Sequence, residues 1–271
     1  MEGAGNDFIL VNGADARLVP DLGALARYIC ERRRSVGADG LIVVEPGQHD
    51  DAEVRVRFWN PDGEEIDTCG NGTRCAARYA VAEGMAGSTM QIETAGSSIV
   101  ARVTDDSVNL TFAVEPKLQL DLTVSPAGTS QRGHHVDIGN PHFIILEDEL
   151  PEAPIEDRCR PLRYAPELEP EGANIHLVKV SNRHRASIRS YERGVEAETL
   201  ACGSGSTSAA VALCAAGLLD PPVEMLTRSG DVLTIRFRRA SDGRFVELEL
   251  EGPARFIYRG ELLAADPLAT S

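Results

Sequence analysis

Alternating apolar and polar positions dominate this chain. Residues 40–44, 54–58, 98–103 and 232–237 read as strands. Helical periodicity is rarer. Residues 21–33 read as an amphipathic helix with Asp21 near its start. Two Ala-rich stretches, 73–83 and 206–218, are apolar on most sides and read as buried helices. Strands outnumbering helices predict an α+β protein. A boundary between two halves is expected within 115–132, which holds Pro116, Pro126 and the run Gly128-Thr129-Ser130-Gln131.

The two buried helices open on one shared phrase. Cys69-Gly70-Asn71-Gly72-Thr73-Arg74-Cys75-Ala76-Ala77 is matched by Cys202-Gly203-Ser204-Gly205-Ser206-Thr207-Ser208-Ala209-Ala210. The pattern is C-G-x-G-[ST]-x-x-A-A, and the register extends upstream. Arg57-Phe58-Trp59-Asn60 stands before the first cysteine and Arg189-Ser190-Tyr191-Glu192 before the second. Asn6-Asp7-Phe8-Ile9-Leu10 is echoed by Asn140-Pro141-His142-Phe143-Ile144-Ile145-Leu146. Two copies of one α+β unit are expected, arranged as two lobes with approximate two-fold symmetry.

Composition narrows the function. The chain has 271 residues, and 27 Lys and Arg against 42 Asp and Glu give a net charge of −15. That balance disfavours nucleic acid as a partner. The basic runs Arg32-Arg33-Arg34 and 236–239 read as a solvated helix face and a strand edge. The longest apolar stretch, 209–219, is too short to span a bilayer, so no membrane partner is expected. Without an apolar leader at Met1-Glu2-Gly3, a cytoplasmic location is expected. Six scattered cysteines make no disulfide scaffold, so each thiol is a small core residue or a reagent.

Cys69 and Cys202 are the candidate reagents. A cysteine ahead of Gly-x-Gly at a helix start meets uncovered N–H groups and the positive end of the helix dipole. Such a place favours thiolate and binds a carboxylate. Two such cysteines facing each other across a cleft suit inversion at carbon: one thiolate takes a proton from one face and the opposed thiol delivers one to the other. The N–H groups would stabilise the carbanion between the steps. Other readings fit less well. Neither loop has a phosphate-binding lysine or completes G-x-G-x-x-G. No C-x-x-C or clustered histidine spacing marks a metal, so none is expected. No G-x-S-x-G elbow is present. Cys30, Cys75, Cys159 and Cys214 read as structural.

With these phrases in hand, the chain resembles the diaminopimelate epimerases. The matching segments are Gly5-Asn6-Asp7-Phe8, Gly37-Ala38-Asp39-Gly40, Asn60-Pro61-Asp62-Gly63 and Cys69 through Cys75. They continue with Gly139-Asn140-Pro141-His142, Gly172-Ala173-Asn174, Tyr191-Glu192-Arg193-Gly194 and Glu198 through Gly205. The resemblance implies a cofactor-independent enzyme that converts LL-2,6-diaminopimelate to the meso form, on the route to lysine and bacterial cell wall. It implies two lobes, each a mostly antiparallel sheet or barrel wrapped around a central helix, with the site in the cleft. The expected division is 1–115, completed by 255–271, and 116–254; a homodimer is allowed. By motif, Cys69 and Cys202 are the acid/base thiols. Asn6, Asn60, Asn140, Asn174, Glu192 and Arg193 are the substrate contacts. The N–H groups of Gly70, Asn71, Gly203 and Ser204 hold the reacting carboxylate, and His142 and Glu192 assist near the thiols.

Three departures carry expectations. Only four residues precede Gly5, so the short strand usual there is expected to be missing. The stretch from Glu192 to Cys202 is one residue longer than the common spacing, which would displace Glu192 unless Val195-Glu196-Ala197 absorbs it. Gly40 stands where some members carry a side chain. The alternative activity is a racemase or epimerase of proline, hydroxyproline or another amino acid on a similar fold. A catalytically silent binding protein or thiol redox sensor is the reading from another class.

Overall fold

The structure is a computed structural model and describes residues 1–49, 51–128 and 130–262. The chain divides into two compact units, one of Met1–Phe112 with the chain from Gly252, the other of Ala113–Glu251. Thr129 of the expected boundary run, and residues 263–271 of the expected completing segment, lie outside the described residues.

The first unit runs β1 (Glu2–Gly3), β2 (Asn6–Asn12), α1 (Gly13–Ala16), α2 (Leu22–Ile29), β3 (Gly40–Pro46), β4 (Val54–Trp59) and β5 (Glu65–Ile66). It continues with α3 (Gly70–Ala82), β6 (Thr89–Glu93), β7 (Ser98–Val103) and β8 (Val108–Phe112). Pairing is antiparallel except for β2 with β3 and β4 with β6. β3 shows why the sheet has two covered faces. Its apolar run alternates by pleat: Ile42 and Val44 join the core around α3, while Leu41 and Val43 join the core under α2. α3 is buried on most sides, at Cys75, Ala76, Ala77 and Ala80 among others.

The second unit runs β9 (Lys117–Val124), β10 (Gln131–Asp137), β11 (Pro141–Leu146), α4 (Glu156–Arg163), β12 (Asn174–Asn182), β13 (Arg185–Glu192) and β14 (Ala197–Thr199). It continues with α5 (Gly203–Ala215), β15 (Val223–Leu226), β16 (Val232–Arg239) and β17 (Phe245–Gly252). Here too the parallel pairs are two, β11 with β12 and β13 with β15. The registers repeat as well. Phe8 faces Gly40 as His142 faces Asn174, and Ile42 faces Phe58 as His176 faces Ser190. Each unit is thus a mixed, mostly antiparallel sheet with one central helix, α3 or α5. Among the described residues neither ladder closes on itself, so the sheet alternative holds and the barrel does not.

Several local expectations change. The edge strand ahead of Gly5 is present: β1 pairs with β2 through a two-residue turn whose residues Ala4 and Gly5 have φ of 54° and 94°. Met1 joins this hairpin, its amino group donating to Phe8 O at 2.8 Å. The helix expected over 21–33 ends at Ile29, because Arg33 at φ 73° and Gly37 at φ 80° turn the chain back. The Arg32-Arg33-Arg34 run therefore leaves the helix instead of lining its face. Gly40 has no room for a side chain, since a Cβ there would stand 2.9 Å from Trp59 O. No helix among the described residues is long and apolar enough to cross a membrane.

Candidate active site

Both central helices start in the same way. Cys69 caps α3 with extended backbone (φ −147°, ψ 112°), and its Sγ accepts the Gly72 N–H at 3.5 Å. Cys202 caps α5 (φ −112°, ψ 109°), and its Sγ accepts the Gly205 N–H at 3.4 Å. The hydroxyl two residues beyond Gly-x further ties each turn: Thr73 Oγ1 donates to Cys69 O at 2.8 Å, Ser206 Oγ to Cys202 O at 2.9 Å. This is the cap geometry of Ser or Asp with sulfur in place of oxygen. The third helical N–H is committed to the sulfur, so Gly70, Gly203 and Ser204 present N–H groups that have no carbonyl one turn back. Asn71 holds the equivalent place to Ser204.

In the first unit Asn6 and Asn71 meet. Asn71 Nδ2 donates to Asn6 Oδ1 at 2.6 Å, and Asn6 Nδ2 donates to Asp39 Oδ2 at 3.0 Å. Behind them, fully buried Arg74 donates from Nη2 to Asn71 Oδ1 at 2.8 Å and from Nε to Pro253 O at 3.2 Å. Arg32, off its expected helix, joins Asp7 and Asp39, with Nη2 2.5 and 2.8 Å from them. Asn60 follows β4, and its backbone closes a turn with Gly63 and Glu64 at 2.9 Å each.

In the second unit the expected residues gather around Cys202. Its sulfur lies 3.6 Å from Ser204 Oγ, and the Glu192 carboxylate stands close enough to act on it. Burial pushes the Cys202 thiol well up, and the Glu192 charge pushes the same way. Desolvation also raises Glu192, against the Thr199 hydroxyl and the Cys202 thiol. Thr199 Oγ1 donates to Glu192 Oε1. Glu192 stands beside Cys202, and the stretch between them turns at Gly194 and Glu196, with φ of 85° and 56°.

Asn140 bridges Ser204 (Nδ2 to Oγ, 3.4 Å) and His142 (Oδ1 to Nε2, 3.0 Å). His142 Nδ1 is 2.9 Å from His176 Nε2, whose Nδ1 is 2.9 Å from Ser190 Oγ. Burial lowers His142 well below its ordinary value, with His176 adding to it, and brings His176 down to about 3. Burial thus favours the neutral form of both rings. Asn174 donates to Pro141 O at 3.0 Å and accepts the Arg193 N–H at 2.9 Å, keeping one N–H and one lone pair for other use. The Arg193 guanidinium pairs with Glu171 at 2.6 Å.

His142, His176 and Cys202 bring metal-capable atoms within 4.8 Å of one another. The sequence hid this group, because the residues come from β11, β12 and α5. The two nitrogens 2.9 Å apart face each other as a hydrogen-bonded pair. Ligands on a tetrahedral zinc, at bonds of about 2.0 Å, sit roughly 3.3 Å apart. His176, Ser190, Thr199 and Arg74 were not among the expected site residues. Aligning the two halves would have flagged His176, which is a buried polar residue in the place of Ile42.

Two α+β units, each with a cysteine capping its central helix, define a fold with solved relatives. A probable proline racemase from Agrobacterium radiobacter K84 superposes with a TM-score of 0.72 at 15% identity, over 99% of this chain and 92% of that one. The sequence places the chain more closely. The family model for diaminopimelate epimerase matches residues 1–116 and 134–256. The diaminopimelate epimerase of Aquifex aeolicus is 33% identical over 97% of this chain and 96% of its own length. That of Halorhodospira halophila is 36% identical over 100% and 96%. The chain belongs to the diaminopimelate epimerase family, and it is an isomerase.

Proposed function

We propose that this chain interconverts LL- and meso-2,6-diaminopimelate with two cysteines and no cofactor, supplying precursors of lysine and cell wall. Cys69 and Cys202 act on opposite faces of one α-carbon. The observation that carries this reading is the repeated cap: each sulfur sits at a helix start against an N–H group, in the same register of two copies of one unit.

The roles follow from the surroundings. Burial and the Glu192 carboxylate both raise the Cys202 thiol, which favours Cys202 as the proton donor. Cys69 is then the base that removes the α-proton. The N–H groups of Gly70, Asn71, Gly203 and Ser204 hold the reacting carboxylate and stabilise the charge that develops on it. Asn6, Asn60, Asn140, Asn174, Glu192 and Arg193 bind the amino and carboxylate groups of a substrate that carries both at each end. His142 and Glu192 support the thiols. Positioned acid–base groups contribute about 10²–10⁴-fold, and the preorganised field supplies the rest.

The test is a chiral assay of the reduced protein with LL-diaminopimelate, proline and trans-4-hydroxyproline. Formation of meso-diaminopimelate alone supports the reading. Turnover of a cyclic amino acid without turnover of diaminopimelate would replace it with the racemase alternative.

A further inference from the structure

One half of the repeat is apolar where the other is polar. The matched registers put Phe8, Ile42 and Phe58 of the first unit in the same seats as His142, His176 and Ser190 of the second. The apolar three belong to one core. The polar three are just as buried, at 0, 0 and 2% exposure. Apolar residues can fill these seats, so packing alone does not call for imidazoles there. Buried polar groups at such seats cost stability unless each finds a partner.

They do, and with the Asn140 amide oxygen toward His142 and its nitrogen toward Ser204, one direction is consistent with every bond. Asn140 Oδ1 can only accept, so His142 carries its proton on Nε2, 3.0 Å away. The neutral ring is then bare at Nδ1, and His176 Nε2 must donate to it. His176 Nδ1 is bare in turn and accepts the Ser190 hydroxyl. At the other end Asn140 Nδ2 donates to Ser204 Oγ. That leaves the Ser204 O–H for the Cys202 sulfur. Every donor in the chain points toward Cys202.

We infer that His176 and Ser190 are positioning residues, which hold His142 in its Nε2–H form and, through Asn140 and Ser204, aim a hydroxyl proton at the Cys202 sulfur. The hydroxyl stabilises that sulfur as it becomes a thiolate. The inference rests on Cys202 being the reacting thiol of the proposed function. Gly205 fits this arrangement, since it lets the His176 ring lie directly against the start of α5.

The test compares the full-length reduced protein with three variants: His176→Ile, the residue the first unit has in this seat, His176→Gln and Ser190→Ala. Glutamine keeps the roles, because its amide N–H can donate to His142 and its carbonyl can accept from Ser190. Long-range ¹H–¹⁵N spectra of the wild type should show both His142 and His176 protonated on Nε2. In His176→Ile nothing donates to Nδ1 and Asn140 alone favours Nε2–H, so a fraction of His142 should appear in the Nδ1–H form that the wild type lacks. Its kcat should fall about tenfold, the size of one lost hydrogen bond, with KM within about twofold. Alkylation of Cys202 by iodoacetamide at fixed pH should slow by a similar factor. His176→Gln should recover most of each loss, and Ser190→Ala should show a smaller one.

A wild-type His142 protonated on Nδ1 would overturn the inference. So would equal losses in the Ile and Gln variants, or a wild-type alkylation rate in His176→Ile. The spectra and the alkylation rates need no substrate. A protein that epimerises nothing while obeying both would count against the proposed function and leave the hydrogen-bond chain standing.

Discussion

A Cβ atom built on Gly205 would lie 2.1 Å from His176 Cε1, so the helix start that carries Cys202 rests directly on the imidazole. Its counterpart Gly72 is less confined: a Cβ there would stand 2.9 Å from Ile42 Cδ1 and 3.0 Å from Phe58 Cε1. Those are ends of apolar side chains, whereas His176 is held by hydrogen bonds on both nitrogens.

Gly205→Ala should therefore destabilise more than Gly72→Ala. Overpacking of this kind costs about 1–3 kcal/mol. Melting followed by circular dichroism should show the larger fall in Tm for Gly205→Ala, about 2–4 °C for each kcal/mol in a chain near this size. A reversed order would mean that His176 yields easily, against its two bonds.

The cysteines should divide by role. Cys69→Ser and Cys202→Ser should each lower kcat at least 10²-fold, the smaller value for loss of a positioned acid or base. Cys30→Ser and Cys159→Ser should keep kcat, since both thiols are buried in cores beside α2 and α4. Steady-state kinetics on the four proteins checks this, and a Cys202→Ser protein with full activity would remove the two-thiol mechanism.

Glu192→Gln should make Cys202 more acidic. Burial is the larger reason for its raised value, and the neighbouring carboxylate is the next. Removing that charge should shift the pH profile of Cys202 alkylation to lower pH, while kcat falls. An unshifted profile would show that the carboxylate does not bear on the sulfur.

The buried histidines should make acid destabilising. His176 is held below its ordinary 6.5, down to about 3, so the unfolded chain binds a proton there that the folded one does not. Stability from this source is complete above about pH 6.5 and falls as pH drops toward 3. In urea titrations between pH 6 and 4, His176→Gln should lose about one proton's worth of the wild-type slope, roughly 1.4 kcal/mol per pH unit. An unchanged slope would mean that His176 is not kept neutral.

Much of this was legible in the sequence, and the reasons are physical. The strands 40–44 and 54–58 announce themselves because a strand covered on both faces is apolar throughout, and one more deeply covered on one face alternates. The two helix starts were legible because a cap needs a side-chain acceptor at one position and small residues after it. The N-terminal hairpin leaves little trace in the sequence, because two residues suffice for β1 when the turn at Ala4 and Gly5 supplies the reversal. The helical periodicity continues past Ile29 through Arg32, and only the backbone at Arg33 shows the break. The group around His142 was invisible because its bonds join three elements distant in sequence. His176 alone could have been found, by setting one half of the chain against the other.

The most direct test of the central claim is the early-time reaction of the reduced protein with LL-diaminopimelate in D₂O, followed by proton NMR and mass spectrometry. Two thiols acting on opposite faces predict that the first meso product carries one deuterium at the inverted carbon while recovered LL substrate keeps its α-proton. Deuterium appearing at equal rates in substrate and product would mean a single exchanging base, and would contradict the assignment of Cys69 and Cys202 to the two faces.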